Sequence, residues 1–328
     1  MREFERAQRV GLTAIALALL IRLYTAGMPE KILDFLSRPD VAAFLIYLET
    51  GRDVRFSASS EEFFPDFAES FPAAARKTEE PVIPAFSGEE EVELYYGADK
   101  NPDIGTLLAR PLSWQLFAEE PAVLILHTHA TESYTRAGEK YKESSAWRTV
   151  DEGYNLLSVG EAVAKLLNEA GIPTLQDRQM HDYPSYNGSY TRSRKSVREI
   201  LEENPTISLI LDLHRDASGE GSAQMRTRAV VNGEPSAQLM VVVGTNHKGY
   251  EENLSLGLKL HALLEKTHPG LMRPLQLRAQ RFNQDLLPGA LLVEVGAAGN
   301  TREEALRAAT ALAEGVIALA RGSVEGNT

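Results

Sequence analysis

The chain has 328 residues, 43% hydrophobic and 24% charged, with a formal charge of −12 and a sequence pI near 5.2. That acidic balance, without any clustered excess of Lys and Arg, excludes nucleic acid as the main ligand, because phosphate neutralisation needs a basic stripe. Cysteine is absent, which excludes disulfide frameworks, thiolate metal sites, iron–sulfur clusters and cysteine nucleophiles, so any metal must sit on His and carboxylates.

The N-terminal residues 1–50 read as a membrane anchor with a juxtamembrane helix. Arg2, Arg6 and Arg9 precede an apolar run from Gly11 to Ile21, and apolar character resumes after Arg22. The run reaches the roughly 17–25 residues of a bilayer span if Arg22 snorkels to an interface. No small-residue cleavage pattern follows, so the expectation is a retained signal anchor. The basic flank then stays inside, and a single-pass protein of the cell membrane carries its remaining chain outside the cytoplasm. Val41–Leu48 is apolar but too short to span. Residues 51–105 read as a flexible acidic tether. Positions 51–100 hold twelve Asp and Glu against five Lys and Arg, with Phe-Pro pairs at 64–65 and 71–72. Such a composition buries too little apolar surface to offset its ordering entropy.

Residues 106–328 read as one enzyme domain. Val123–Leu126 is a fully apolar run that predicts a buried strand. Val159–Ala170 has helical spacing and is ended by Gly171, and Ile172–Leu175 reads as a strand opening on an edge-tolerated proline. A polar helix runs from about Thr191 to Glu203, and Ile207–Leu213 and Leu239–Val243 are further strands. Leu254–Leu264 is helical, Leu291–Val295 is a strand, and Glu303–Arg321 is an Ala/Leu-rich helix. Alternating strands and helices predict an α/β fold with a mostly parallel central sheet flanked by helices.

Chemistry in such sheets gathers beyond the strand C-termini, and three places qualify. His127, His129 and Glu132 follow the strand at 123–126. His214 ends the strand at 207–213, beside Asp212, Arg215 and Asp216. Glu294 interrupts the apolar strand at 291–295. A buried carboxylate is costly, and a catalytic or metal-adjacent role with a raised pKa would explain it. Taken together, His129, Glu132 and His214 supply the three N/O ligands of a catalytic Zn2+ site, and Glu294 the base that activates its water. Arg215 either neutralises a neighbouring aspartate or polarises a substrate carbonyl. His181, His247, His261 and His268 read as surface or packing residues.

His-Thr-His-x-x-Glu-Ser-Tyr at 127–134, His-Asp-Tyr-Pro-Ser-Tyr-Asn at 181–187, Tyr190 with Ser193-Arg194, Asp-Leu-His-Arg-Asp-Ala at 212–217, Phe-Asn-Gln-Asp-Leu at 282–286 and Leu-Val-Glu-Val-Gly with Asn300-Thr301 resemble the stage II sporulation protein P family. The resemblance covers about residues 120–320. It implies the fold of zinc-dependent N-acetylmuramoyl-L-alanine amidases, and cell-wall hydrolysis with amidase and endopeptidase activity during forespore engulfment. Its implied substrate is peptidoglycan, and its implied partners are stage II sporulation protein D (SpoIID) and stage II sporulation protein M (SpoIIM). By the same resemblance, a His-Glu-His set holds zinc and a late Glu is the base. His214 and Glu294 match by motif. The first His is His129, with His127 as the alternative, and the second ligand is Glu132, Asp151 or Glu152. A different zinc peptidase of carboxypeptidase type, or an inactive wall-binding scaffold, are the competing readings.

Overall fold

Strands covered on both faces cannot alternate polar with apolar residues, and the central strands of this chain are accordingly near-continuous apolar runs. The structure, a computed structural model, describes residues 92–112, 114–136, 147–217 and 225–325, all within a compact unit that begins at Thr78. In chain order the elements are β1 (Leu94–Gly97), α1 (Ile104–Ala109), β2 (Val123–Leu126), α2 (Leu156–Glu169), β3 (Thr174–Gln176), α3 (Ser189–Glu203) and β4 (Leu209–Asp216). They continue with the hairpin β5 (Ala229–Val231) and β6 (Glu234–Ser236), then β7 (Leu239–Gly244), α4 (Tyr250–Thr267), β8 (Leu275–Arg278), a 3-10 turn (Gln284–Leu286), β9 (Ala290–Ala297) and α5 (Arg302–Glu325).

Seven strands form one sheet in the order β1-β8-β7-β9-β4-β2-β3. β3, β2, β4 and β9 are mutually parallel, as are β1, β8 and β7. The two blocks meet at one antiparallel junction, β7 against β9. The expected mostly parallel sheet is present, and this reversal is its one departure. Because β2, β4 and β9 are parallel, they end together at one edge.

Side-chain parity separates the faces. Ile125, Leu211, Leu213, Leu291 and Val293 join the main core with α2, α4 and α5. Leu124, Leu126, Ile210 and Ala290 pack on the opposite face against Val197 of α3. Asp212, His214 and Glu294 share the parity of Ile210 and Leu292, so the strand-borne polar residues lie on the α3 side. The register sets Glu294 between His214 of β4 and Met240 of β7.

Local chemistry sets the boundaries. Asn155 caps α2 by accepting the Leu157 N–H at 2.9 Å, and Gly171, at φ +83°, stops it in the left-handed conformation that glycine adopts freely. Asn232 and Gly233 both have positive φ, the two-residue turn that closes β5 on β6.

The structure corrects two expectations. The end of the tether is folded: β1 pairs with β8 from Leu94↔Leu275 to Gly97↔Arg278, and Asp103 caps α1 through the Thr106 N–H at 3.1 Å. Among the described residues no helix is long and apolar enough to cross a membrane, so the expected single-pass, extracytoplasmic placement is withdrawn. The anchor at 1–50 and the tether up to residue 91 lie outside the described residues.

His127 follows β2 on the main-core side and lies against α2. A Cβ on Gly160 would stand 2.3 Å from His127 Nε2 and 2.7 Å from Gln176 Nε2. Gly160→Ala is therefore expected to cost about 1–3 kcal/mol of stability through overpacking. Urea unfolding of the variant against the parent checks this, and an unchanged midpoint would mean that the imidazole moves aside.

Candidate metal centre

Beyond β2 the chain makes a tight turn, with the Glu132 N–H donating to the His129 carbonyl at 3.0 Å. The turn brings the two side chains together: His129 Nδ1 is 3.5 Å from Glu132 Oε1. His214, at the end of β4, approaches the other oxygen, with Nδ1 3.6 Å from Glu132 Oε2. The imidazole rings stand nearly perpendicular, 5.0 Å between centroids. One donor atom from each of the three residues lies within 4.8 Å of the others, and all three residues are buried. Two imidazole nitrogens and a carboxylate oxygen converging on one point are a donor set suited to a divalent transition-metal cation.

Each histidine is oriented by its second nitrogen. His129 Nε2 meets Ser189 Oγ at 3.0 Å. His214 Nε2 lies 3.1 Å from Asp212 Oδ1, an ion-pair contact outside the angles of a hydrogen bond. Asp212 is fixed in turn by Thr128, which donates its N–H at 2.9 Å and its hydroxyl at 2.7 Å. Such outer contacts set ring orientation and basicity at metal sites. Glu132 also accepts from the Arg215 N–H at 3.1 Å and from Arg148 Nη2 at 3.3 Å. Burial acts to raise its pKa, but the His129 and His214 contacts and the Arg215 charge outweigh it and hold the carboxylate well below its ordinary range. Burial likewise acts to depress His214, but the Asp212 and Glu132 carboxylates drive its pKa well up. The same negative field would attract a cation.

Glu294 sits beside His214 in the sheet register. Its Oε2 is enclosed and has no hydrogen-bond partner among the described residues. Its pKa is pushed up to about 8, by burial first; the His214 charge opposes the rise, and the Glu132 and Asp216 charges reinforce it.

The structure brings His129, Glu132, His214 and Glu294 together and sets the other candidates apart. His127 is fully buried, facing Gln176 Nε2 at 3.0 Å. Asp151 is exposed and binds the Gly153 N–H and Arg136, and exposed Glu152 pairs with Arg178. Arg215 corrects the expectation of a catalytic cation. One position past His214, its side chain leaves on the opposite face, where Nε donates to the Ser133 carbonyl at 3.1 Å and Nη2 to that of Trp147 at 2.7 Å. Asp216 pairs with Arg273 at 2.8 Å. His181 is a packing residue, buried with Nε2 2.9 Å from Asp177 Oδ2.

Residues 58–318 match the family model described as stage II sporulation protein P. The chain belongs to the stage II sporulation protein P family. A member of that family from Bacillus subtilis (strain 168) is 32% identical over 211 residues, 61% of this chain and 51% of the relative. The chain thus matches about half the length of that relative. Solved structures similar to it include the N-acetylmuramoyl-L-alanine amidase AmiC2 of Nostoc punctiforme, at 15% identity, 60% of this chain, 95% of that one and a TM-score of 0.35. The CwlD amidase from Clostridioides difficile in complex with the GerS lipoprotein gives 13% identity, 62% and 99% coverage and a TM-score of 0.38.

Sequence reasoning missed three supports of this family member's site. Arg148 bridges Glu132 to the buried Asp182, and its guanidinium lies over the Tyr186 ring, 4.6 Å from the centroid. Asp182 also accepts from the Thr131 N–H at 3.2 Å and the Thr131 hydroxyl at 2.5 Å. Ser189 is the third. Asp182 falls inside a motif that carries the family resemblance, but its partners are set by the fold rather than by neighbours in sequence.

Removal of a ligand should weaken cation binding more than an outer contact does, so His129→Ala and His214→Ala are each expected to lose more than about 100-fold in affinity. His127→Gln should bind like the parent. Chelator-competition titration of the three variants checks the assignment, and a loss confined to His127→Gln would transfer the site to the other face.

Proposed function

We propose that this chain is a zinc-dependent peptidoglycan hydrolase of the N-acetylmuramoyl-L-alanine amidase type, cutting the lactoyl–L-alanine amide during engulfment. What supports the reading is the buried His129–Glu132–His214 group with Glu294 in register beside it, in a chain of this family. The donor set fits the ion in kind: two imidazoles and one carboxylate are ligands that zinc takes, and one donor atom from each lies within 4.8 Å of the others.

Zinc would supply Lewis acidity and a water acidified towards neutrality. His129, Glu132 and His214 would hold that ion, with Glu294 next to His214 in the sheet. Glu294 accepts the proton of the attacking water at its unpartnered oxygen and returns it to the departing amine nitrogen, as one carboxyl group does in both directions. Its seat beside Met240 and His214 encloses the Oε2 atom. Arg215 orients Glu132 through its main-chain N–H, while its side chain is held by the Ser133 and Trp147 carbonyls. Stage II sporulation proteins D and M as partners belong to the same proposal.

Glu294→Gln is expected to keep zinc and to lose about 100- to 10,000-fold in turnover, the usual contribution of a general acid–base group. The check is incubation of the chain with peptidoglycan, with and without chelator, and mass analysis of the fragments. Free stem peptides that vanish with chelator and with the variant support the amidase. Muropeptides cut only at cross-links would make it an endopeptidase, and full turnover by Glu294→Gln would remove this residue from the chemistry.

A further inference from the structure

The segment from Tyr186 to Tyr190 has no part in the chemistry just described, yet it surrounds His129. The Tyr186 ring lies 4.6 Å from the imidazole at 33°, and the Tyr190 ring 5.4 Å away at 81°. Ser189, 3% exposed, opens α3 directly after Gly188 in its left-handed turn, and its hydroxyl meets His129 Nε2 at 3.0 Å. Arg192, one turn further on, holds the approach to the helix by donating to the carbonyls of His181 at 2.6 Å, Asn187 at 3.1 Å and Ser185. The turn that carries Ser189 is therefore braced by its own helix.

We infer that Ser189 is a positioning residue that selects the tautomer of His129; the inference rests on the zinc reading above. A neutral imidazole carries one proton, on Nδ1 or on Nε2, and only the bare nitrogen can bind a metal. Nδ1 faces Glu132 at 3.5 Å, so the ion-binding form has its proton on Nε2. Ser189 Oγ is the acceptor for that proton, and the ring contacts of Tyr186 and Tyr190 fix the imidazole plane. His214 has a carboxylate, Asp212, at the equivalent nitrogen. The two ligands are thus oriented by unlike groups, one ionic and one neutral, and the neutral one depends on the first turn of α3.

The test uses the full chain and zinc alone. Ser189→Ala is expected to bind zinc about 10- to 100-fold more weakly than the parent in chelator competition, as for other outer contacts. Ser189→Thr, which keeps the hydroxyl, should stay within about threefold. The chelated forms of parent and Ser189→Ala should melt together, which separates orientation of the ligand from stability of the fold. In the zinc-loaded parent, nitrogen-15 NMR should place the His129 proton on Nε2. Equal affinity of Ser189→Ala and parent, or a proton on Nδ1, would overturn the inference while leaving the metal site intact. A parent that takes up no zinc would instead overturn the reading on which it rests.

Discussion

A carboxylate at 4% exposure must be surrounded by donors and positive charge, because its lost hydration would otherwise cost several kcal/mol. Glu132 meets that condition from four directions, and the rest of the site is arranged around it. His129 comes from its own turn, His214 and the Arg215 N–H from β4, and Arg148 from the segment bridged alongside residues 131–133. The Arg215 N–H is available for a local reason. The β4–β9 register shifts between His214 and Asp216, and at that irregularity the amide donates to Glu132. A β-bulge, which in a plain sheet would only bend a strand, here supports the buried Glu132 carboxylate.

The reversal between the two blocks of the sheet gives Glu294 an unequal environment. On one side the parallel neighbour β4 presents His214, and on the other the antiparallel neighbour β7 presents Met240. A charge on the carboxyl group has histidine to one side and hydrocarbon to the other. This asymmetry accounts for an enclosed oxygen without a partner and for the raised pKa. A polar residue on β7 in place of Met240 would offer that oxygen a partner and lower the pKa.

The main strands were legible because burial on both faces writes itself as uninterrupted apolar residues, and His214 and Glu294 stood out as exceptions to that pattern. β1 and β8 were not read: Leu94–Gly97 carries two exposed tyrosines on an edge strand beside an acidic stretch, and only its pairing partner marks it as sheet. The reversal at β7 was equally hidden, since strand direction leaves no mark on composition. Arg215 was misread because adjacency to His214 looked like shared chemistry, whereas neighbouring residues in a strand face opposite ways. Glu132 stood level with Asp151 and Glu152 until geometry separated them. Arg148, Asp182 and Ser189 act through contacts 16 to 60 residues away, which no local pattern records.

The spread of the site along the chain has a temporal consequence. Glu132 meets the Arg215 amide across 83 residues, and Tyr134 donates to the Val295 carbonyl across 161. Contacts this distant in sequence form late, because the intervening chain must first give up its freedom. Glu294 therefore reaches the His129–Glu132–His214 group only when β9 has paired with β4. The complete group of four side chains thus depends on the last central strand of the chain.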